Sequence, residues 1–210
     1  MTRSKSVSEN SFALLIVGIG SVAIASAWLL TPRYGPWLCH CVFGFISVAA
    51  ALYWGKSIRN SRLTIGTCIA GVTVGLALAV ASWIGAPLLT QWVPSLAADL
   101  KEHYNTLQRQ PGPFEALPIL LMTASAEELI WRGELVDWLQ KRLPIVATIA
   151  IGTISYALPI VASKSLLLFG VANCLGLVLT IERVVVGNWL APLISHVIWA
   201  VLVLVLRPIA

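Results

Sequence analysis

Ala124-Ser125-Ala126-Glu127-Glu128-Leu129-Ile130-Trp131-Arg132-Gly133-Glu134 sets two adjacent carboxylates and a guanidinium inside an otherwise apolar run. Glu128 and Arg132 are four residues apart with the acid first, the favourable order for an ion pair along one helix face. Glu127 is turned about 100° from Glu128 around a helix, so Arg132 cannot serve both equally. A carboxylate left without that partner in a poorly solvated place is suited to take a proton from water, the work of a general base. A second polar intruder, His196, stands in Pro192-Leu193-Ile194-Ser195-His196-Val197. Its imidazole could donate a hydrogen bond to a developing oxyanion. Asn173 and Tyr156 also interrupt apolar runs and could reach the same cavity, with interhelical hydrogen bonding as the alternative role for each. A non-chemical account exists for the others too. The acids and Arg132 would then lock one helix into a bundle, and His196 would be a packed ring bonded to a helix carbonyl.

The elements that must hold these groups are membrane helices. Of 210 residues, 58% are hydrophobic and only 11% are charged, where a soluble domain is nearer half apolar and about a quarter charged. Stretches of about 20 apolar residues suffice to cross a bilayer. They occur at 11–30, 36–54, 64–92, 114–139, 144–162, 165–181 and 189–206, which predicts an all-α polytopic bundle of about seven transmembrane helices. The first is too long for the apolar core of a signal peptide and is read as a retained helix. Residues 94–113 form the one long polar connection, with His103 expected in a loop outside the bilayer. Glu127 falls about 20 Å from either end of its segment, near the middle of a hydrocarbon core about 30 Å thick. A charge there costs at least about 2.5–3.5 kcal/mol, and such groups survive by facing the protein interior and pairing.

Net charge is +5, yet the basic residues lie at the ends of apolar segments and form no stripe, which argues against nucleic acid. With the N-terminus inside, Arg3, Lys5, Lys56, Arg59, Arg62, Lys141, Arg142 and Arg183 fall on the cytoplasmic side. Five oppose these eight: Arg33, Lys101, Arg109, Lys164 and Arg207. That excess predicts a cytoplasmic N-terminus and a C-terminus outside. Trp37, Trp54, Trp92, Trp138 and Trp189 lie near helix ends and are read as interfacial anchors. Cys39, Cys41, Cys68 and Cys174 all lie in apolar runs and are read as small membrane-buried residues. Only one intramembrane histidine stands near the acids, whereas zinc hydrolases usually bring three protein ligands, so neither a metal nor any other cofactor is expected.

Glu127-Glu128-x-x-x-Arg132 resembles the first motif of the CAAX protease and bacteriocin-processing family of intramembrane glutamic endopeptidases. The resemblance continues through Leu175-Gly176-Leu177-Val178 and Glu182-Arg183 to Gly187-Asn188-Trp189-Leu190-Ala191-Pro192-Leu193-Ile194-Ser195-His196, and covers roughly 114–206. It implies that Glu127 activates water, that Glu128 and Arg132 are a supporting pair, and that His196 is an oxyanion donor. Two positions depart from the family pattern. Ile160, four residues after Tyr156, stands where the second motif has histidine, and Ala200 stands where an asparagine follows the final histidine. Phe169 to Asn173 has the form of that second motif with asparagine substituted.

Residues 1–113 are therefore expected to form a three-helix membrane region with a polar loop, and 114–210 a catalytic core of four helices. The expected function is cleavage of a peptide or membrane-anchored protein in a bilayer, by family analogy the prokaryotic cytoplasmic membrane. The alternative is a non-catalytic relative that binds such a partner, which explains Ile160 and Ala200 directly. A proton-coupled transporter ranks last, because no inverted repeat or paired discontinuous helices is apparent.

Overall fold

The computed structural model describes residues 3–54, 61–108, 112 and 114–209, with side chains from Phe12 onward except that of Trp54. The charged groups of Arg3, Lys5, Lys56, Arg59 and Arg109 and the ring of Trp54, which entered the orientation and anchoring expectations, lie outside the described set.

Apolar composition and a lack of strand signals lead to helices throughout, and no strand occurs among the described residues. The elements are α1 (Arg3–Tyr34), α2 (Pro36–Trp54), α3 (Ile65–Trp92), α4 (Pro94–Leu107) and α5 (117–140). After them come α6 (Ile145–Ala157), a 3-10 turn (Leu158–Ser163), α7 (Leu166–Val186) and α8 (Leu190–Ala200), which ends in wider π turns (Val201–Leu206). Among the described residues, five helical stretches are long and apolar enough to cross a membrane: Phe12–Tyr34, Pro36–Tyr53, Ile65–Trp92, Ile145–Ser163 and Leu166–Val186. The other two expected spans are helical as well, α5 interrupted by its charged cluster and Leu190–Leu206 shorter. The bundle wears its apolar residues outside, with Val22, Phe45, Ile69 and Val185 exposed, while Glu128 and Arg132 are fully enclosed. That is the arrangement lipid demands of a helical protein.

Small residues let two helices approach and so set the position of His196. Thr67, Gly71, Gly75 and Ala79 recur every fourth residue along the buried face of α3, a spacing that brings membrane helices into close contact. A Cβ on Gly75 would stand 2.9 Å from the Ser195 carbonyl oxygen and 3.0 Å from its Cα. Gly75→Ala is therefore expected to lose about 1–3 kcal/mol by overpacking, read as easier unfolding in bicelles. Gly85→Ala on the same helix, where a Cβ would meet nothing within 4 Å, should lose no stability. Equal effects at both positions would refute the close-packing account.

The polar connection differs from expectation. Its first part is the helix α4, opened by Pro94 at the helix start and packed through Leu100, Tyr104 and Leu107. Tyr104 donates a hydrogen bond to the Val203 carbonyl at 2.8 Å, and the Asp99 carboxylate accepts one from the Ser165 hydroxyl at the start of α7 at 3.1 Å. The apolar spacing of Leu100, Tyr104 and Leu107 is that of one helix face. The intervening charges on the other face mask it in the sequence. His103 is carried inward with α4 and does not lie in an outside loop. Beyond α7, Gly187 takes φ +75°, a left-handed conformation that glycine adopts without strain and that ends the helix. The chain then turns back and lays α8 beside it.

Candidate active site

The ion pair drawn from spacing forms inside α5. Arg132 Nη1 donates to Glu128 Oε1 at 3.0 Å, with both side chains fully enclosed. From Leu129 to Leu135 the helix widens into π turns, a local change that frees backbone groups. The Arg132 carbonyl accepts a 2.9 Å hydrogen bond from Arg183 Nε on α7. The Arg132 guanidinium lies 4.3 Å from the ring centroid of Tyr156, within reach of a cation–π attraction. Tyr156 in turn donates its hydroxyl to Glu127 Oε2 at 2.9 Å. His196 Nδ1 stands 2.9 Å from Glu128 Oε1. One enclosed carboxylate thus meets both an arginine and a histidine, while its neighbour in sequence meets a tyrosine.

Glu127, Tyr156 and His196 line one cavity of about 170 Å³. Most of the lining is apolar, with Leu120, Ile160, Leu175, Trp199 and Ala200 among it. Helices before residue 109 add Trp28, Trp37, His40 and His103 to the same cavity. Burial pushes the His103 imidazole, on α4 outside the spans, down to about 4, so the ring is neutral near pH 7.

The structure brings Glu127, Glu128, Arg132, Tyr156 and His196 together and leaves Asn173 apart. Asn173 Nδ2 donates to the Phe169 carbonyl of its own helix at 2.8 Å, while Ala172 and Leu175 are the α7 neighbours that face the cavity. A rotation of about 100° per residue separates adjacent helix positions, which turns Asn173 away. Ile160 and Ala200 do face the cavity, so the two departures from the family pattern fall within it. Two of the tryptophans read as interfacial anchors are enclosed by protein. Trp37 is buried on the cavity wall and Trp189 is buried in the core, whereas Trp92 is exposed.

Composition and spacing did not single out the group beside the site. Glu182 on α7 is buried, and both its carboxylate oxygens lie within 2.9 Å of the Ser195 hydroxyl next to His196. The same hydroxyl is 3.0 Å from the Gly71 carbonyl. A carboxylate inside the apolar run 166–181 and its continuation was the available signal.

Among the described residues, no three His, Cys, Asp or Glu side chains are grouped closely enough to hold a metal ion. No curated protein and no solved structure matches the chain. Residues 109–202 match the family model described as type II CAAX prenyl endopeptidase Rce1-like. That segment holds Glu127, Glu128, Arg132, Tyr156 and His196, and over it the chain is similar to the Rce1-like CAAX protease family.

Proposed function

We propose that the chain is an intramembrane glutamic endopeptidase acting on a peptide or membrane-anchored protein. The observation that carries this reading is the shared cavity of Glu127 and His196, bridged behind by the enclosed Glu128–Arg132 pair. Glu127 takes a proton from water, and the resulting hydroxide adds to the scissile carbonyl carbon. With Nδ1 committed to Glu128, an imidazolium His196 offers its Nε2–H to the oxyanion. In that state Glu127 is protonated, and the oxyanion and the Glu128 carboxylate balance the Arg132 guanidinium and the His196 imidazolium. Collapse of the tetrahedral species breaks the C–N bond, and Glu127 returns its proton to the leaving amine. Tyr156 holds the Glu127 carboxylate by one oxygen and leaves the other for water.

The reading takes the bilayer to be a prokaryotic cytoplasmic membrane with the N-terminus inside, supported by the excess of basic residues on that side. Apolar Ile160 and Ala200 in the cavity favour a second reading, a non-catalytic relative that binds the same kind of partner.

Purified chain in liposomes with a library of membrane-anchored peptides separates the two. Cleavage by the native chain, unaffected by a chelator and lowered about 10²–10³-fold by His196→Ala, is the expected result for an oxyanion donor. Peptide binding with no cleavage by the native chain would replace the protease by the binding relative.

A further inference from the structure

Ser195 departs from a pattern set by five other helix hydroxyls. Ser21, Thr31, Ser82, Thr123 and Ser125 each donate to the carbonyl four residues back in their own helix, a common way for a helical hydroxyl to satisfy itself. Ser195, fully enclosed on α8, reaches across to two neighbouring helices instead. Its Oγ lies 3.0 Å from the Gly71 carbonyl oxygen on α3, and 2.9 and 2.8 Å from the two carboxyl oxygens of Glu182 on α7. Among the described residues that hydroxyl is the one hydrogen-bond partner of the Glu182 carboxyl. Glu182 is itself only 5% exposed.

A serine hydroxyl has one hydrogen to donate and two lone pairs with which to accept. Three oxygens that all need a donor exceed that supply. An ionised Glu182 would be an enclosed charge with a single neutral donor, an arrangement that burial makes costly. Glu128, the other enclosed acid, has Arg132 and His196 as partners. A protonated Glu182 resolves the count. Its O–H donates to Ser195 Oγ, and the Ser195 O–H donates to the Gly71 carbonyl, so one chain of hydrogen bonds runs from α7 through α8 to α3.

Ser195 directly precedes His196, and adjacent positions on a helix point about 100° apart. One anchor of α8 therefore faces α3 and α7, while His196 Nδ1, 2.9 Å from Glu128 Oε1, faces α5. Two anchors at different angles fix the roll of a helix about its own axis, whereas the glycine contacts of α3 chiefly set its distance. Side chains reach about 5–6 Å from a helix axis, so a roll of about 20° moves a ring atom by about 2 Å. That breaks the bond to Glu128 and displaces the other ring nitrogen in the cavity.

We propose that Glu182 carries its proton and is a positioning residue for His196, pinning the roll of α8 through Ser195 and Gly71. The consequence for catalysis rests on the endopeptidase reading; the chain of hydrogen bonds does not.

The test uses the full chain in nanodiscs with three variants, Glu182→Gln, Glu182→Met and Ser195→Ala. Glutamine keeps a donor for Ser195 through its amide N–H, methionine keeps only the length, and Ser195→Ala breaks the chain with the smallest change in volume. The infrared difference between the native chain and Glu182→Gln should contain the carbonyl stretch of a protonated carboxyl, shifted in deuterated water. In the nitrogen NMR spectrum of histidine-labelled protein, the His196 ring signal, assigned with His196→Ala, should move or broaden in Glu182→Met and Ser195→Ala. It should keep its native position in Glu182→Gln. Peptide cleavage should lose about 10–100-fold in kcat in the first two, the scale of a catalytic group misplaced by about 1 Å. KM should stay within about twofold, and Glu182→Gln should recover kcat to within about threefold of native. Should Glu182→Met fail to fold, Ser195→Ala carries the same comparison. A native chain that cleaves nothing defeats the endopeptidase reading and leaves the infrared and NMR signals to decide the positioning role. No protonated-carboxyl band, a His196 signal unmoved in every folded variant, or Glu182→Gln as damaging as Glu182→Met overturns the proposal.

Discussion

Glu127→Gln is expected to lower peptide cleavage by about 10²–10⁴-fold, the usual contribution of a positioned general base, while the bundle stays folded. Glutamine keeps the shape of the side chain and still accepts the Tyr156 hydroxyl through its amide oxygen, so the contact at 2.9 Å survives. The amide cannot take a proton from water. The variant therefore separates chemistry from architecture more cleanly than alanine would. Single-turnover cleavage in liposomes, with thermal unfolding in parallel, reads both quantities. A rate within about threefold of native, with an unchanged unfolding curve, would remove Glu127 from the mechanism.

Arg132→Met has the largest expected effect on stability, a loss of about 3–5 kcal/mol. Among the described residues, removing the guanidinium leaves Glu128 fully enclosed with His196 as its one side-chain partner, and Glu128 Oε2 already has no hydrogen-bond partner. Methionine roughly matches the length of the lost side chain, so the loss reflects uncompensated charge more than a cavity. The double variant Glu128→Gln, Arg132→Met should regain much of that stability, because replacing a buried pair is far cheaper than breaking one. Activity should not return, since His196 then lacks the carboxylate that holds its Nδ1. Reversible unfolding in bicelles for the native chain, both single variants and the double variant gives the coupling directly. A coupling below about 0.5 kcal/mol would show that the pair acts as two independent residues.

Part of the candidate site was legible because its geometry is local. The separation of Glu128 and Arg132 by four residues fixes a pairing within one helix, and α5 supplies it despite the wider π turns that begin at Leu129. The apolar composition required helices in a membrane, and the chain packs as a helical bundle with charges inside. His196 was marked by chemistry alone, an imidazole with no reason to lie in lipid.

Other features depend on how helices rotate and meet. Asn173 sits on an apolar helix as His196 does, yet faces its own Phe169 carbonyl, because helix rotation turned Ala172 and Leu175 to the cavity. His103 lies in a polar connection by sequence, but α4 folds back and carries it to the cavity wall. Trp37 stands at a helix end, where an anchor belongs, and is buried beside the same cavity.

Residue types and intrahelical spacing thus determined the membrane setting, the acid–arginine pair and the kind of chemistry available. Tertiary structure alone decided that His196 would take Glu128 as its partner, that Tyr156 would hold Glu127, and that α1, α2 and α4 would close the cavity with indoles and imidazoles. Spacing constrains neighbours about one turn apart on a single helix. Contacts between helices follow from axial rotation and close approach, set here by Gly71 and Gly75 against α8, residues that carry no chemical signal of their own.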